Sequence, residues 1–195
     1  MTAKSPGRPR QFDTDAVLDT IERQFHERGY HATTVADLLA ASGLHKGSLY
    51  AAFGTKRAVF TTVLTRYADR RLALLDADFA AGPSPLGGLR RYLRRQAAEA
   101  AGGRGCLLAN SALELLPGDT VVLSIVSGHQ RRVEGRLVGA LEQALVQGEL
   151  GHVPEPRSAA RALLVTVQGL WETGRTTNDV RRLVDVVDTV LAAFR

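Results

Sequence analysis

Apolar residues recur every three or four positions through most of the chain, which is the spacing of amphipathic helices. The first predicted helix begins after Asp13 or Thr14 and ends at Gly29. Its buried face consists of Val17, Leu18, Ile21 and Phe25. No strand-like alternation bounded by hairpin turns appears, so the pattern predicts an all-α fold of about nine helices.

Glycine and proline residues separate the remaining predicted helices. Two short helices fall within residues 34–53, and a fourth begins after Thr55 and continues to about Ala81, where Gly82-Pro83-Ser84-Pro85 ends it. The later predicted helices are Leu86–Ala101, Cys106–Leu116, Thr120–Gln147, Ser158–Thr173 and Asn178–Phe194.

The two short helices form the most informative segment. Thr34 is a suitable N-cap, and Asp37, three residues later, completes an approximate capping box. Gly43 lies where the chain must turn sharply before the second helix. Two short helices joined by a turn of three or four residues that contains glycine form a helix-turn-helix, whose second helix lies in the major groove of DNA.

Residues 43–53 read Gly-Leu-His-Lys-Gly-Ser-Leu-Tyr-Ala-Ala-Phe and are followed by Gly54, Thr55 and Lys56. This segment resembles the DNA-binding domain of the TetR family of bacterial repressors. The recognition turn of that family usually reads G-V-S-K-G-T-L-Y-x-H-F, followed by x-x-K. Phe25 and Gly29-Tyr30 also match the family's pattern, and the resemblance covers residues 11–71. It implies a DNA-binding domain there and a ligand-binding and dimerisation domain over residues 72–195, with the junction inside the fourth helix.

Two residues depart from the family's pattern. His45 replaces the small residue that usually caps the recognition helix, and histidine caps poorly. Ala52 replaces a His or Tyr that often reaches the phosphate backbone in relatives. Both departures are compatible with DNA binding, but neither the operator sequence nor the contacts of a relative can be transferred to this chain.

Seven residues in this segment are expected to contact DNA. They are Thr34, His45, Lys46, Gly47, Ser48, Tyr50 and Lys56. Lys46 and Ser48 lie on the first turn of the recognition helix, and Tyr50 follows one turn later on the same side. Lys56 begins the next helix, where backbone N–H groups assist a phosphate contact. The alternative for both lysines is a solvated surface charge.

Residues 1–10 are predicted to form a flexible basic arm. Arg8 and Arg10 lie in a Gly-Arg-Pro-Arg sequence, and such arms enter the minor groove beside helix-turn-helix domains. A solvated tail is the alternative interpretation.

Composition agrees with a polyanionic partner but specifies little more. The formal net charge is +5 and the pI is about 9.9, and two of the three lysines fall at Lys46 and Lys56. One cysteine excludes an intrachain disulfide or a cysteine-based zinc site. The first 20 residues lack an apolar signal region, and no run of about 18 apolar residues occurs. We expect a cytoplasmic protein with no membrane segment, metal or cofactor.

The last two predicted helices carry apolar residues over more than one side, which is typical of a deep core or a subunit interface. In the family that this chain resembles, these two helices pair with their copies in a homodimer, and the middle helices enclose a small-molecule pocket. Polar or aromatic residues within the apolar segments are the pocket candidates. They are Asn110, His129, Gln168 and Trp171. The inducer cannot be identified from the sequence, and each candidate is alternatively a core residue.

Cys106 opens the predicted sixth helix after Gly105, as in a subgroup of the family in which some members sense thiol-reactive electrophiles or oxidants. A thiol in the first turn of a helix meets free backbone N–H groups, which favours its reactivity. The alternative is a buried, inert cysteine.

The leading interpretation is a dimeric repressor that binds a palindromic double-stranded operator and is released by a small-molecule inducer. The alternatives are a thiol-based sensor acting through Cys106, an enzyme with Cys106 as nucleophile and His129 as base, and a nonspecific DNA-coating protein. An activator of the same fold also remains open.

Overall fold

The computed structural model describes residues 12–151, 153 and 155–194. Nine helices and no strand occupy these residues, which confirms the predicted all-α fold. The helices are α1 (Thr14–Ala32), α2 (Val35–Ser42), α3 (Lys46–Phe53), α4 (Lys56–Ala81), α5 (Pro85–Ala100), α6 (Leu107–Leu115), α7 (Thr120–Val146), α8 (Pro156–Thr173) and α9 (Val180–Ala192). None of these described helices is long and apolar enough to cross a bilayer.

Local signals place most helix ends. The Asp13 carboxylate accepts hydrogen bonds from the first amides of α1, and Gly29, with φ of 78°, interrupts the helix where the sequence predicts its end. Thr55 caps α4 by accepting from the amide of Ala58 at 3.2 Å. Both features are local and could be predicted from the sequence.

The predicted starts of four helices are wrong by one or two residues. We expected helices from Cys106 and Asn178, but α6 begins at Leu107 and α9 at Val180. We also expected helices from Leu86 and Ser158, but α5 begins at Pro85 and α8 at Pro156. Proline is tolerated at the first helical position, because its missing N–H would have no helical partner there. It therefore begins these helices rather than only ending the preceding loop.

The chain divides into two compact units inside α4, between Val63 and Leu64. In the first unit, α1, α2 and α3 and the start of α4 surround a small core in which the rings of Phe25 and Phe60 meet edge to face, with their centroids 5.0 Å apart. Other buried members of this core are Ile21, Leu38, Leu49, Val59 and Val63. The predicted domain limit at residue 71 stays a prediction.

In the second unit, α5 packs against α7, α8 and α9, and α7 packs against α8. The side chains between these helices are almost all aliphatic. The most deeply buried include Leu89, Leu93, Leu137, Leu141, Leu163 and Val187. The helices that surround this core also carry the predicted ligand residues.

Candidate nucleic-acid interface and ligand cavity

The start of α2 is fixed by a reciprocal capping box. The Thr34 hydroxyl accepts from the amide of Asp37 at 3.1 Å, and the Asp37 carboxylate accepts from the amide of Thr34 at 2.8 Å. Hydrogen bonds from Thr34 lower the pKa of the Asp37 carboxyl, with a smaller contribution from Arg28, which lies 2.9 Å away. The predicted capping box is confirmed. Its effect is to fix the direction in which α2 leads into the turn.

The turn between α2 and α3 depends on Gly43. Its φ of 68° and ψ of 9° lie in the left-handed region, which residues with a Cβ rarely adopt, and its amide donates to the carbonyl of Leu39. His45 then stands at the N-cap of α3 and makes no side-chain capping bond. The expectation that histidine would cap poorly here is confirmed, and the first amides of α3 receive no acceptor from it.

Helix α3 is anchored by one buried side chain, and the residues of α3 that were expected to contact DNA are exposed. Leu49 is 1% exposed and anchors the helix in the core of its unit. Five exposed candidates lie around it: His45, Lys46, Gly47, Ser48 and Tyr50. The Lys46 ammonium lies 6.0 Å from the centroid of the Tyr50 ring, so these two side chains share one surface. The helix therefore presents a contiguous polar face to solvent.

Gly47 is unusual on this surface because nothing around it requires a glycine. A Cβ placed there would have no heavy atom within 4 Å, and the φ of Gly47 is not positive. Glycine inside a helix is less favourable than alanine by about 1 kcal/mol. Among the described residues, neither packing nor backbone conformation explains this choice.

Lys56, at the start of α4, is positioned by the end of α1. Its ammonium lies 4.4 Å from the centroid of the Tyr30 ring and 3.5 Å from the carbonyl oxygen of His31. The Tyr30 ring in turn packs on Phe60, with 4.8 Å between centroids. Thr34 is exposed at the cap of α2. The predicted arm residues Arg8 and Arg10 lie outside the described residues.

The second unit contains a cavity of about 350 Å³. Four of the residues singled out in the sequence line it: Cys106, His129, Gln168 and Trp171. Asn110 was predicted to join them but does not line the cavity. Its carbonyl oxygen accepts from Arg175 at 2.6 Å and its amide donates to the carbonyl of Arg104, because this position of α6 faces the preceding loop.

Sequence reasoning missed several polar residues of the cavity wall, among them Arg71, Gln96, Gln130 and Glu172. The side-chain oxygen of Gln96 accepts from Arg71 at 2.9 Å and from the indole N–H of Trp171 at 3.0 Å. The guanidinium of Arg71 also forms an ion pair with Glu99 and lies 5.3 Å from the Trp171 ring centroid. A sequence signal exists for Arg71, because the apolar residues Ala68 and Leu75 lie three positions before it and four positions after it, on one helical stripe.

His129 is held neutral by its surroundings. Burial lowers the pKa of its imidazole to about 4, and the neighbouring Arg132 and Arg71 act in the same direction. Its buried Nδ1 atom has no hydrogen-bond partner among the described residues. Desolvation therefore removes the positive charge that an exposed histidine could carry.

The Cys106 thiol faces Tyr67 rather than a base. The Tyr67 hydroxyl donates to Sγ at 3.9 Å, and burial raises the pKa of that hydroxyl. No hydrogen bond joins Cys106 to His129 in the described part of the chain. The nucleophile–base pair that a cysteine enzyme would need is therefore not formed. The described residues also contain no cluster of His, Cys, Asp or Glu side chains able to hold a metal ion.

Helices α8 and α9 have one face in the core and apolar residues on the other. Leu183, Val187 and Leu191 of α9 are buried. In contrast, Val165 of α8 is 65% exposed and Val186 of α9 is 41% exposed. The apolar residues predicted over a wide arc of these helices thus fall into two groups. One group packs in the core, and the other leaves aliphatic side chains exposed on the surface.

Comparisons with known proteins agree with this geometry. Residues 17–63 match the model of the family described as bacterial regulatory proteins, tetR family. The chain is 31% identical over 192 residues to the HTH-type transcriptional repressor ComR of Escherichia coli, covering 96% of this chain and 91% of that protein. It is 30% identical to the uncharacterised HTH-type regulator YezE of Bacillus subtilis, covering 96% of this chain and 99% of that one. A solved structure of a cysteine mutant of the regulator CifR, complexed with 26-bp operator DNA, superposes with a TM-score of 0.84 at 27% identity, covering 96% of this chain and 100% of that one.

Proposed function

Because this chain belongs to the TetR family of bacterial regulatory proteins, we propose that this DNA-binding regulator is a dimeric repressor of a two-fold symmetric operator. The observation that carries the proposal is the exposed face of α3, where Lys46, Ser48 and Tyr50 stand together around a single buried anchor. A helix presented in this way after a short turn is suited to the major groove.

Within this proposal, each exposed residue has a defined part. Lys46 and Ser48 reach base edges or phosphates from the first turn of α3, and the Tyr50 hydroxyl donates to a phosphate oxygen. Gly47 lets the helix backbone come close to the DNA. Lys56 supplies a further phosphate contact from a position already restrained by Tyr30, which reduces the entropy lost on binding.

Dimerisation through α8 and α9 is part of the proposal because one recognition helix contacts too few bases for useful affinity. A two-fold dimer reads two half-sites with the same helix and so requires a symmetric operator. The exposed aliphatic side chains of Val165 and Val186 support this face as the contact between copies. A buried apolar contact would stabilise the dimer.

Control by a small molecule is supported by the cavity in the second unit. Its volume lies at the lower end of the range for ligand pockets. An inducer would release DNA only if it bound the DNA-incompetent conformation more tightly than the competent one. We expect that difference to arise from the polar residues in the cavity wall.

A footprint of the purified protein on the DNA that flanks its own gene, with nonspecific competitor present, tests the DNA-binding part. We expect protection of a short two-fold symmetric site. Lys46→Ala and Tyr50→Phe should each weaken binding by about tenfold or more without unfolding the protein, since each substitution removes two contacts per dimer.

Arg131→Ala is the matched control for this experiment, because it removes one positive charge from an exposed position on α7. It should weaken binding much less than Lys46→Ala. Full affinity in both recognition-helix variants would contradict the assignment of α3.

A thiol-based sensor is a second candidate, favoured by the position of Cys106 in the wall of the same cavity. An electrophile that enters the cavity would meet the thiol there. Treatment with N-ethylmaleimide should then release DNA from the chain of natural sequence but not from the Cys106→Ser variant. Alkylation that leaves the DNA affinity unchanged would remove this candidate.

A further inference from the structure

Resting on the proposed function, we propose that the ligand of this cavity is a small monocarboxylate, whose carboxylate binds Gln96 and Arg71 and whose apolar remainder lies against the aliphatic wall. This inference adds a chemical class of ligand and two recognition residues to the cavity. It follows from unused hydrogen-bond donors and from the size of the space.

The orientation of the Gln96 side chain is fixed by its partners. Arg71 and Trp171 can only donate hydrogen bonds, so the atom that accepts from both of them must be the oxygen of the Gln96 amide. The amide nitrogen therefore points away from both donors. It makes no hydrogen bond within the described part of the chain, and Gln96 lines the cavity. A ligand in the cavity can therefore supply the acceptor for this amide.

Arg71 has donors to spare next to this amide. Its bonds to Glu99 and Gln96 use two of the five guanidinium N–H groups, and no further hydrogen bond of Arg71 occurs within the described part of the chain. A carboxylate accepts several hydrogen bonds at once and matches the planar guanidinium. The two residues can therefore bind the same carboxylate.

The donors of Arg71, rather than a net charge, favour a carboxylate over a neutral acceptor. Arg71 and Arg95 are paired with Glu99 and Asp78, so these four charges balance. Arg91, the further partner of Asp78, has a side chain that is 61% exposed, so its charge is screened, as is that of the exposed Glu172 in the cavity wall. The remaining N–H groups of Arg71 form a planar set that matches both oxygens of a carboxylate.

The remaining wall selects an apolar body of limited size. Its aliphatic members include Leu108, Val126, Val133, Leu164 and Val167. At about 30 Å³ for each water-sized group, a cavity of about 350 Å³ holds roughly 12 non-hydrogen atoms. Benzoate and cinnamate are both within this limit, and each has an uncharged amide of the same shape.

Calorimetric titration of the purified chain without DNA tests the inference. Benzoate and cinnamate are compared with benzamide and cinnamamide. We expect at least one carboxylate to bind about tenfold or more tightly than its amide. Because Trp171 is the single tryptophan of the chain, quenching of its fluorescence by benzoate would place the ligand in the cavity.

Gln96→Glu is the sharpest variant for the same titration. The Glu side chain keeps an oxygen that accepts from Arg71 and Trp171, but its other oxygen replaces the amide donor, so it would repel the carboxylate of the ligand. Binding of the carboxylate ligand should fall about tenfold or more. Gln143→Glu adds the same charge at an exposed position of α7 outside the cavity and should change binding by less than about twofold.

Three results would overturn the inference: amides that bind as tightly as the carboxylates, no carboxylate bound below about 1 mM, or equal losses in Gln96→Glu and Gln143→Glu. The titration needs no DNA, so its outcome is independent of operator binding. Operator binding with a failed titration would reject only the ligand class, whereas a successful titration without operator binding would reject the proposed repressor.

Discussion

Gly47 is one of four described glycines whose identity neither packing nor backbone conformation explains, and the proposed DNA contact explains it. Alanine at this position of α3 would meet no heavy atom within 4 Å and would favour the helix. On a major-groove surface, the same methyl group would stand between the helix backbone and the DNA. A substitution at Gly47 can therefore increase the stability of the fold and decrease the affinity for DNA.

Gly47→Ala should therefore move stability and DNA affinity in opposite directions. We expect unfolding to become less favourable by up to about 1 kcal/mol, while operator binding weakens by about tenfold or more. Chemical denaturation and an anisotropy titration measure the two effects. Gly135→Ala on α7 is the control, because its Cβ also meets nothing within 4 Å but lies in the other unit. Unchanged affinity in Gly47→Ala would mean that DNA does not approach this face.

Among the helices, α2 has a start that a reciprocal capping box fixes. Thr34→Ala removes the acceptor for the amide of Asp37, and the expected cost is about 1 kcal/mol of stability. Thermal unfolding measures it. Thr62→Ala is the matched control, since Thr62 lies within α4 and only donates to the carbonyl of Ala58. Equal stability of the two variants would show that the cap contributes nothing.

The elements also show how far sequence reasoning extends. The capping box of Thr34, the turn at Gly43 and the helix end at Gly29 were predictable, because each depends on residues a few positions apart. The pair formed by Gln96 with Arg71 spans 25 residues and its bond to Trp171 spans 75. Helical periodicity indicates only that Arg71 and Gln96 lie near a buried face. Their partners depend on how α4, α5 and α8 pack, so the polar wall of the cavity could not be predicted.

At the scale of the whole molecule, the buried imidazole of His129 makes stability depend on pH. Its pKa is about 4 in the folded chain and 6.5 in the unfolded one, so protons bind preferentially to the unfolded chain. Above about pH 6.5 the imidazole is neutral in both states and does not lower the free energy of unfolding. As the pH falls from 6.5 to 4, the unfolded chain takes up the proton first, and the free energy of unfolding falls by at most about 3 kcal/mol.

His129→Gln should remove that part of the pH dependence, which denaturation curves between pH 4 and 7 would measure. His45→Gln makes the same change at an exposed position and should leave the profile of the natural chain intact. Identical slopes for the natural chain and His129→Gln would contradict the neutral, buried state of this histidine.

The proposed dimer predicts a different kind of variant. Val165→Asp should leave each chain folded, because this side chain is 65% exposed, but it should place a charge in the interface of α8 and α9. We expect dissociation into monomers in sedimentation equilibrium and a large loss of operator affinity. Val146→Asp, at an 89% exposed position on α7, should stay dimeric. A dimeric Val165→Asp would move the interface elsewhere.

Selection from a pool of random-sequence duplexes measures directly whether the protein binds DNA sequence-specifically as a symmetric dimer. We expect the natural chain to enrich one two-fold symmetric sequence, and Lys46→Ala or Gly47→Ala to give little or no enrichment. A natural chain that retains duplexes without sequence preference, and whose affinity falls only with salt, would contradict this expectation and indicate nonspecific coating of DNA.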